Sequence, residues 1–171
     1  MRNELQEFIR HWERETEGTL ALVGALPADQ YDLRPDANGR SLGELAWHLA
    51  EVDGYVALGI ARGDFDFTKE RPAHIARPKS VEALEPGFRI VHQEAVARIA
   101  QLKPDDWHRE IRYADGELWT IGDLLWRKLL LHSVHHRGQL VLLCRLGGGV
   151  PPGLFGHTRE EAAAQKLVAA R

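Results

Sequence analysis

One stretch of this chain limits its folding options more than any other. Between Thr120 and Leu146, the residues Leu125, Leu129, His132, His136, Leu140 and Leu143 follow one another at steps of four, three, four, four and three. Such spacing lines up one face of a long helix. An apolar stripe of that length must be buried against other elements, and two of its positions hold histidine where a core helix would place leucine. TIGD at Thr120 supplies a capping start, and Gly147, Gly148 and Gly149 supply a stop.

Three further helices are legible in the same way. From Asn3 to about Leu26 the residues Leu5, Phe8, Ile9, Trp12, Thr19, Leu22 and Val23 fall largely at helical spacing, and Pro27 ends the run. ADQYDLRPDANGR then reads as a loop. SLGE at Ser41 has the form of a capping box, and Leu45, Leu49, Val52 and Val56 mark the inner face of a second helix that stops near Arg62 and Gly63. A long connection through Pro72 and Pro78 allows the third helix to run parallel to the second. That helix begins between Ser80 and Pro86, turns Phe88, Val91, Ala95, Ile99 and Leu102 inward, and closes at Pro104. A short hairpin around Asp115 and Gly116 precedes the fourth helix. A short fifth helix follows the TREE cap at Thr158. SLGELAW and TIGDLLW echo each other in capping residue, leucine and tryptophan, so the chain reads as two helical hairpins in one domain spanning 1–171. The expected class is therefore all-α, a four-helix bundle with a short C-terminal helix.

Length and composition agree with a self-sufficient core. A chain of 171 residues, 44% hydrophobic and 27% charged, buries enough surface to fold without disulfides. Its net charge of −3 is spread along the sequence without a basic stripe, so nucleic acid is not an expected partner. The lone Cys144 lies in an apolar run and reads as a buried thiol. MRNELQEFIRHWERETEG has no apolar signal core, and no run approaches eighteen apolar residues. The sequence-based expectation is a cytoplasmic protein with no membrane contact.

The inward histidines carry the chemistry. With nine histidines in 171 residues, an i,i+4 pair arises by chance roughly half the time, so spacing alone decides little. Register decides more, because His132 and His136 lie on the core stripe and His48 falls among Leu45, Leu49 and Val52. Burying imidazoles without partners costs on the order of a few kcal/mol. A hydrogen bond to a carboxylate or carbonyl is one compensation, and a divalent cation is the other. Three neutral imidazoles suit zinc, nickel, copper or iron and leave a coordination position open. His135 is rotated about 100° from His136 and is left out. His11, His74, His92, His108 and His157 are expected in solvent, and Glu44, one turn before His48, is a candidate to orient it. The GGG run follows a helix rather than opening one, so it is not a phosphate loop.

SLGELAWHLAEVD, HSVHHRGQL and GGGVPPGLFG together resemble the DinB-like superfamily, and the resemblance extends over nearly the whole chain. It implies an up-down-down-up four-helix bundle, often a homodimer, with zinc, nickel or iron held by His48, His132 and His136. It also implies a connection to stress responses. Characterised members of that superfamily include metal-dependent transferases that use bacillithiol or mycothiol. The function expected by resemblance is thus transfer between a small-molecule thiol and an electrophile, with Arg137 a candidate to hold a carboxylate of either. A metal-dependent hydrolase and a non-catalytic metal-binding protein are the alternatives; the absence of Asp and Glu from SVHHRGQL weakens the first of these.

Overall fold

The computed structural model describes residues 4–169. Helix α1 covers Glu4–Gly24 and buries Leu5, Phe8, Ile9, Trp12, Leu20, Leu22 and Val23. Helix α2 covers Leu42–Arg62. Its start is fixed by a reciprocal cap in which the Glu44 amide donates to Ser41 Oγ at 3.2 Å and the Ser41 amide donates to Glu44 Oε2 at 2.9 Å. Its end is fixed by Gly63, whose φ of +80° lets its N–H reach back to the carbonyls of Gly59 and Ile60. A 3₁₀ turn at Val81–Ala83 leads into α3, Leu84–Ile99. Strands β1, Glu110–Arg112, and β2, Leu118–Thr120, form the antiparallel hairpin expected around Asp115 and Gly116, with Ile111 opposite Trp119.

The fourth helix, α4, spans 121–146 and is not uniform. It opens with a turn at Ile121–Asp123 capped by Thr120, underwinds into a π stretch at Leu124–Leu131, and returns to α geometry over His132–Leu146. Underwinding lets Leu124, Leu125, Leu129 and Leu130 all bury, a broader apolar face than a 3.6-residue repeat provides. Helix α5, Arg159–Ala169, follows a second reciprocal cap between Thr158 and Glu161.

Contacts along the helices set their directions. Trp47 lies against Gly87 and Asp53 against His92, so α2 and α3 run parallel. Arg89 pairs with Glu17 and His92 packs on Trp12, so α3 opposes α1. Phe8 meets Trp126 while Thr19 meets Arg137, so α1 and α4 run together. The bundle is up-down-down-up, and the long α2–α3 connection is what permits its parallel pair.

Two apolar clusters fill the bundle. One gathers Leu22, Leu42, Trp47, Leu49, Leu84, Phe88 and Leu140, and the other Phe8, Trp12, Val56, Ile60, Ile99, Leu124 and Leu129. Each such side chain contributes about 1.5–3 kcal/mol by leaving water. Between the clusters, at 48–53 on α2 and 132–137 on α4, the interior turns polar. His48, His132 and His136 lie on the α2–α4 side of this belt. Asp53, His92 and Trp12 lie on the α1–α3 side: His92 Nδ1 sits 2.7 Å from Asp53 Oδ2, and Trp12 Nε1 donates to Asp53 Oδ1 at 3.3 Å. His92 is therefore a buried residue, contrary to the expectation that it is solvated. It occupies the α3 core face one turn beyond Phe88, and the Asp53 carboxylate satisfies it.

Candidate metal centre

Local sequence explains why three rings converge. His48 projects from the second turn of α2, whose register is set by the Ser41 cap, and His132 and His136 begin the α-helical part of α4 one turn apart. Since α2 and α4 pack antiparallel across the seam, His48 meets both. The Nε2 atoms of His48 and His132 are 3.3 Å apart, and one ligand atom from each of the three rings lies within 4.8 Å of the others. His48 and His136 stand edge to face with ring centroids 4.7 Å apart.

This donor set fits a divalent cation. Three nitrogens at about 2.0–2.1 Å from a tetrahedral ion lie roughly 3.3 Å from one another, which is the His48–His132 separation. The outward ring nitrogens are also held. His48 Nδ1 is 3.4 Å from Glu51 Oε2, and His136 Nδ1 is 2.7 Å from Gln139 Oε1. Such partners fix ring orientation and leave Nε2 directed at the common point.

Electrostatics favour neutral, ligating rings. His132 is pushed down to about 4 from its ordinary 6.5, first by burial and then by the neighbouring charges of His136, His48, His135 and Arg40. Burial also lowers His136, partly offset by its bond to Gln139. Both imidazoles therefore present lone pairs at neutral pH.

Three other residues weighed from sequence lie elsewhere or in other roles. His135 is exposed and bonds Gln139 through Nε2 at 3.1 Å. Glu44 is engaged by the Ser41 cap and by Arg34 at 2.7 Å, which holds its carboxyl at about 2; Glu51 is the carboxylate beside His48. Arg137 points away from the triad. It is buried against α1, donating to Glu15 Oε2 at 2.6 Å and to the Glu15 carbonyl at 2.8 Å, with Phe155 stacked on its guanidinium. The structure does not bring Arg137 to the imidazoles.

Two cavities flank the triad. One, of about 330 Å³, is lined by His48, His132, Glu51, Tyr55, Tyr113 and Lys128. The other, of about 360 Å³, is lined by His136, Leu45, Leu142, Leu143 and Leu146. Arg40 borders both. Sequence reasoning passed over Glu51 and Arg40. Glu51, one turn after His48 on the same helix, was discoverable by spacing, whereas Arg40 sits in a loop whose path no periodicity records.

The sequence model of the DinB superfamily matches residues 11–140, which include all three histidines. The chain belongs to the DinB superfamily. It is 30% identical over 163 residues to the uncharacterized protein YrdA of Bacillus subtilis, covering 93% of this chain and 92% of YrdA. Its fold is similar to that of a DinB-like protein from Bacillus cereus, with a TM-score of 0.71 at 22% identity over 88% of this chain and 97% of that one. It is equally similar to the DinB-like protein YjoA of Bacillus subtilis, with a TM-score of 0.71 at 23% identity, covering 90% and 99% of the two chains. Among the described residues no helix is long and apolar enough to cross a membrane.

Proposed function

We propose that this DinB-superfamily chain is a metal-dependent transferase that joins a low-molecular-weight thiol, of the bacillithiol or mycothiol kind, to an electrophile. The observation that carries the reading is a triad of converging imidazoles with no protein group as fourth ligand among the described residues, opening onto two cavities. A divalent cation supplies Lewis acidity that favours the thiolate form of such a thiol at neutral pH. The chain's own part is positional. His48, His132 and His136 hold the cation, while Glu51 and Gln139 keep two of the rings aimed. The two cavities seat the thiol and the electrophile on opposite flanks of the centre. The test is spectroscopic: cobalt-substituted protein titrated with a small thiol should show a thiol-dependent change in its visible absorption, and an unchanged spectrum contradicts the reading.

Glu51 gives a second reading its only footing. A carboxylate beside a His₃ centre suits general-base hydrolysis, and Glu51 lines the cavity that holds His48 and His132. Glu51→Gln separates the two. A hydrolase loses its turnover with this change, whereas thiol binding to the metal form persists.

A further inference from the structure

The larger cavity beside His136 has a lopsided chemistry. Leu45, Leu142, Leu143 and Leu146 make an aliphatic wall, and Leu142 and Leu146 remain 60% and 61% exposed despite belonging to the same helix as the fully buried Leu140. Among the described residues no acidic side chain lines it, and Arg40 is its one full charge. Among the described residues the Arg40 side chain has no hydrogen-bond or salt-bridge partner, as holds for several exposed arginines, but Arg40 is the one that borders this cavity. Arg40 stands at the seam between the two cavities, next to the triad. An apolar pocket with a single convergent unpaired guanidinium selects a ligand with an aliphatic body and one anionic end.

We infer that the cavity between the loop at 35–40 and the last turns of α4 is a subsite for a carboxylate-bearing aliphatic substrate, with Arg40 as its anion anchor and Leu142 and Leu146 as the wall for its hydrocarbon part. This inference rests on the transferase reading for what lies at the far end of the subsite, where His136 faces the ligand. It gives Arg40 the carboxylate-holding role that sequence reasoning placed on Arg137, whose guanidinium is already bound by Glu15. The loop is held for the task. The Leu42 amide donates to the Leu33 carbonyl at 2.8 Å and the Gly43 amide to the Tyr31 carbonyl at 2.9 Å. Tyr31 Oη donates to the Pro78 carbonyl at 2.5 Å.

The test compares octanoate with octanol by calorimetric titration of the full chain. Wild-type protein should bind both. Arg40→Gln should weaken octanoate about tenfold or more and leave octanol unchanged, as expected for loss of a charge-assisted bond, and Leu142→Gln should weaken both alike. His132→Ala, titrated in parallel, removes the metal and with it any direct carboxylate–metal contact. The preference for octanoate should persist in that variant and disappear on adding Arg40→Gln. If Arg40→Gln affects the two probes equally or not at all, the inference is overturned even if the chain binds metal and thiol. If the Arg40-dependent preference is present but wild-type protein exposed to zinc, nickel or iron takes up no metal, the subsite stands and the transferase reading fails. Arg40 is exposed, so unchanged circular dichroism is expected for its variant.

Discussion

His132 shows how one residue couples site to stability. Its pKa is about 4 in the folded chain against 6.5 in the unfolded one, chiefly because burial disfavours the imidazolium. Between those values the unfolded state binds more protons, so stability rises with pH and is lost as pH falls from 6.5 toward about 4. Metal-free protein melted across that window should show a declining Tm, and His132→Gln should flatten the decline. An identical slope in wild type and variant contradicts the assignment. The same scale shows where sequence reading succeeds. His132 and His136 were visible because they interrupt a leucine stripe, and His48 because it falls among apolar neighbours. His92 was not separated from the solvated histidines because its partner, Asp53, lies on another helix, 39 positions away in the chain.

At the scale of elements, capping chemistry was the most legible signal. Ser41, Thr120 and Thr158 each cap the helix that their sequence pattern announces. Turn residues likewise marked the hairpin at Asp115 and Gly116. The π stretch in α4 was not legible, because a run such as LLWRKLLL satisfies α and π spacing alike and packing decides between them. The loop ahead of α2 depends on Gly43, where an added Cβ would lie 2.3 Å from Tyr31 Cε2. Gly43→Ala should therefore force Tyr31 off the helix and lower stability by about 1–3 kcal/mol. Chemical denaturation of Gly43→Ala alone and in a Tyr31→Ala background checks this, since the penalty should shrink when the ring is gone. An equal penalty in both backgrounds locates the strain elsewhere.

At the scale of the whole molecule, the polar belt between the two apolar clusters is the organising feature. Architecture followed from the sequence because periodicity, caps and one long connection leave few ways to assemble four helices. The belt's content followed only in part: Glu51 shares a helix with His48, but the roles of Arg40 and Asp53 depend on which elements face each other. A cation held by His48, His132 and His136 would tie α2 to α4 across this belt and, binding only the folded chain, would stabilise the bundle by mass action. Metal content per chain, measured by elemental analysis on purified wild-type protein and on His132→Ala, tests that claim most directly. The account predicts about one divalent ion per wild-type chain and its loss in the variant; equal metal in both proteins, or none in the wild type after exposure to zinc, nickel or iron, would contradict it.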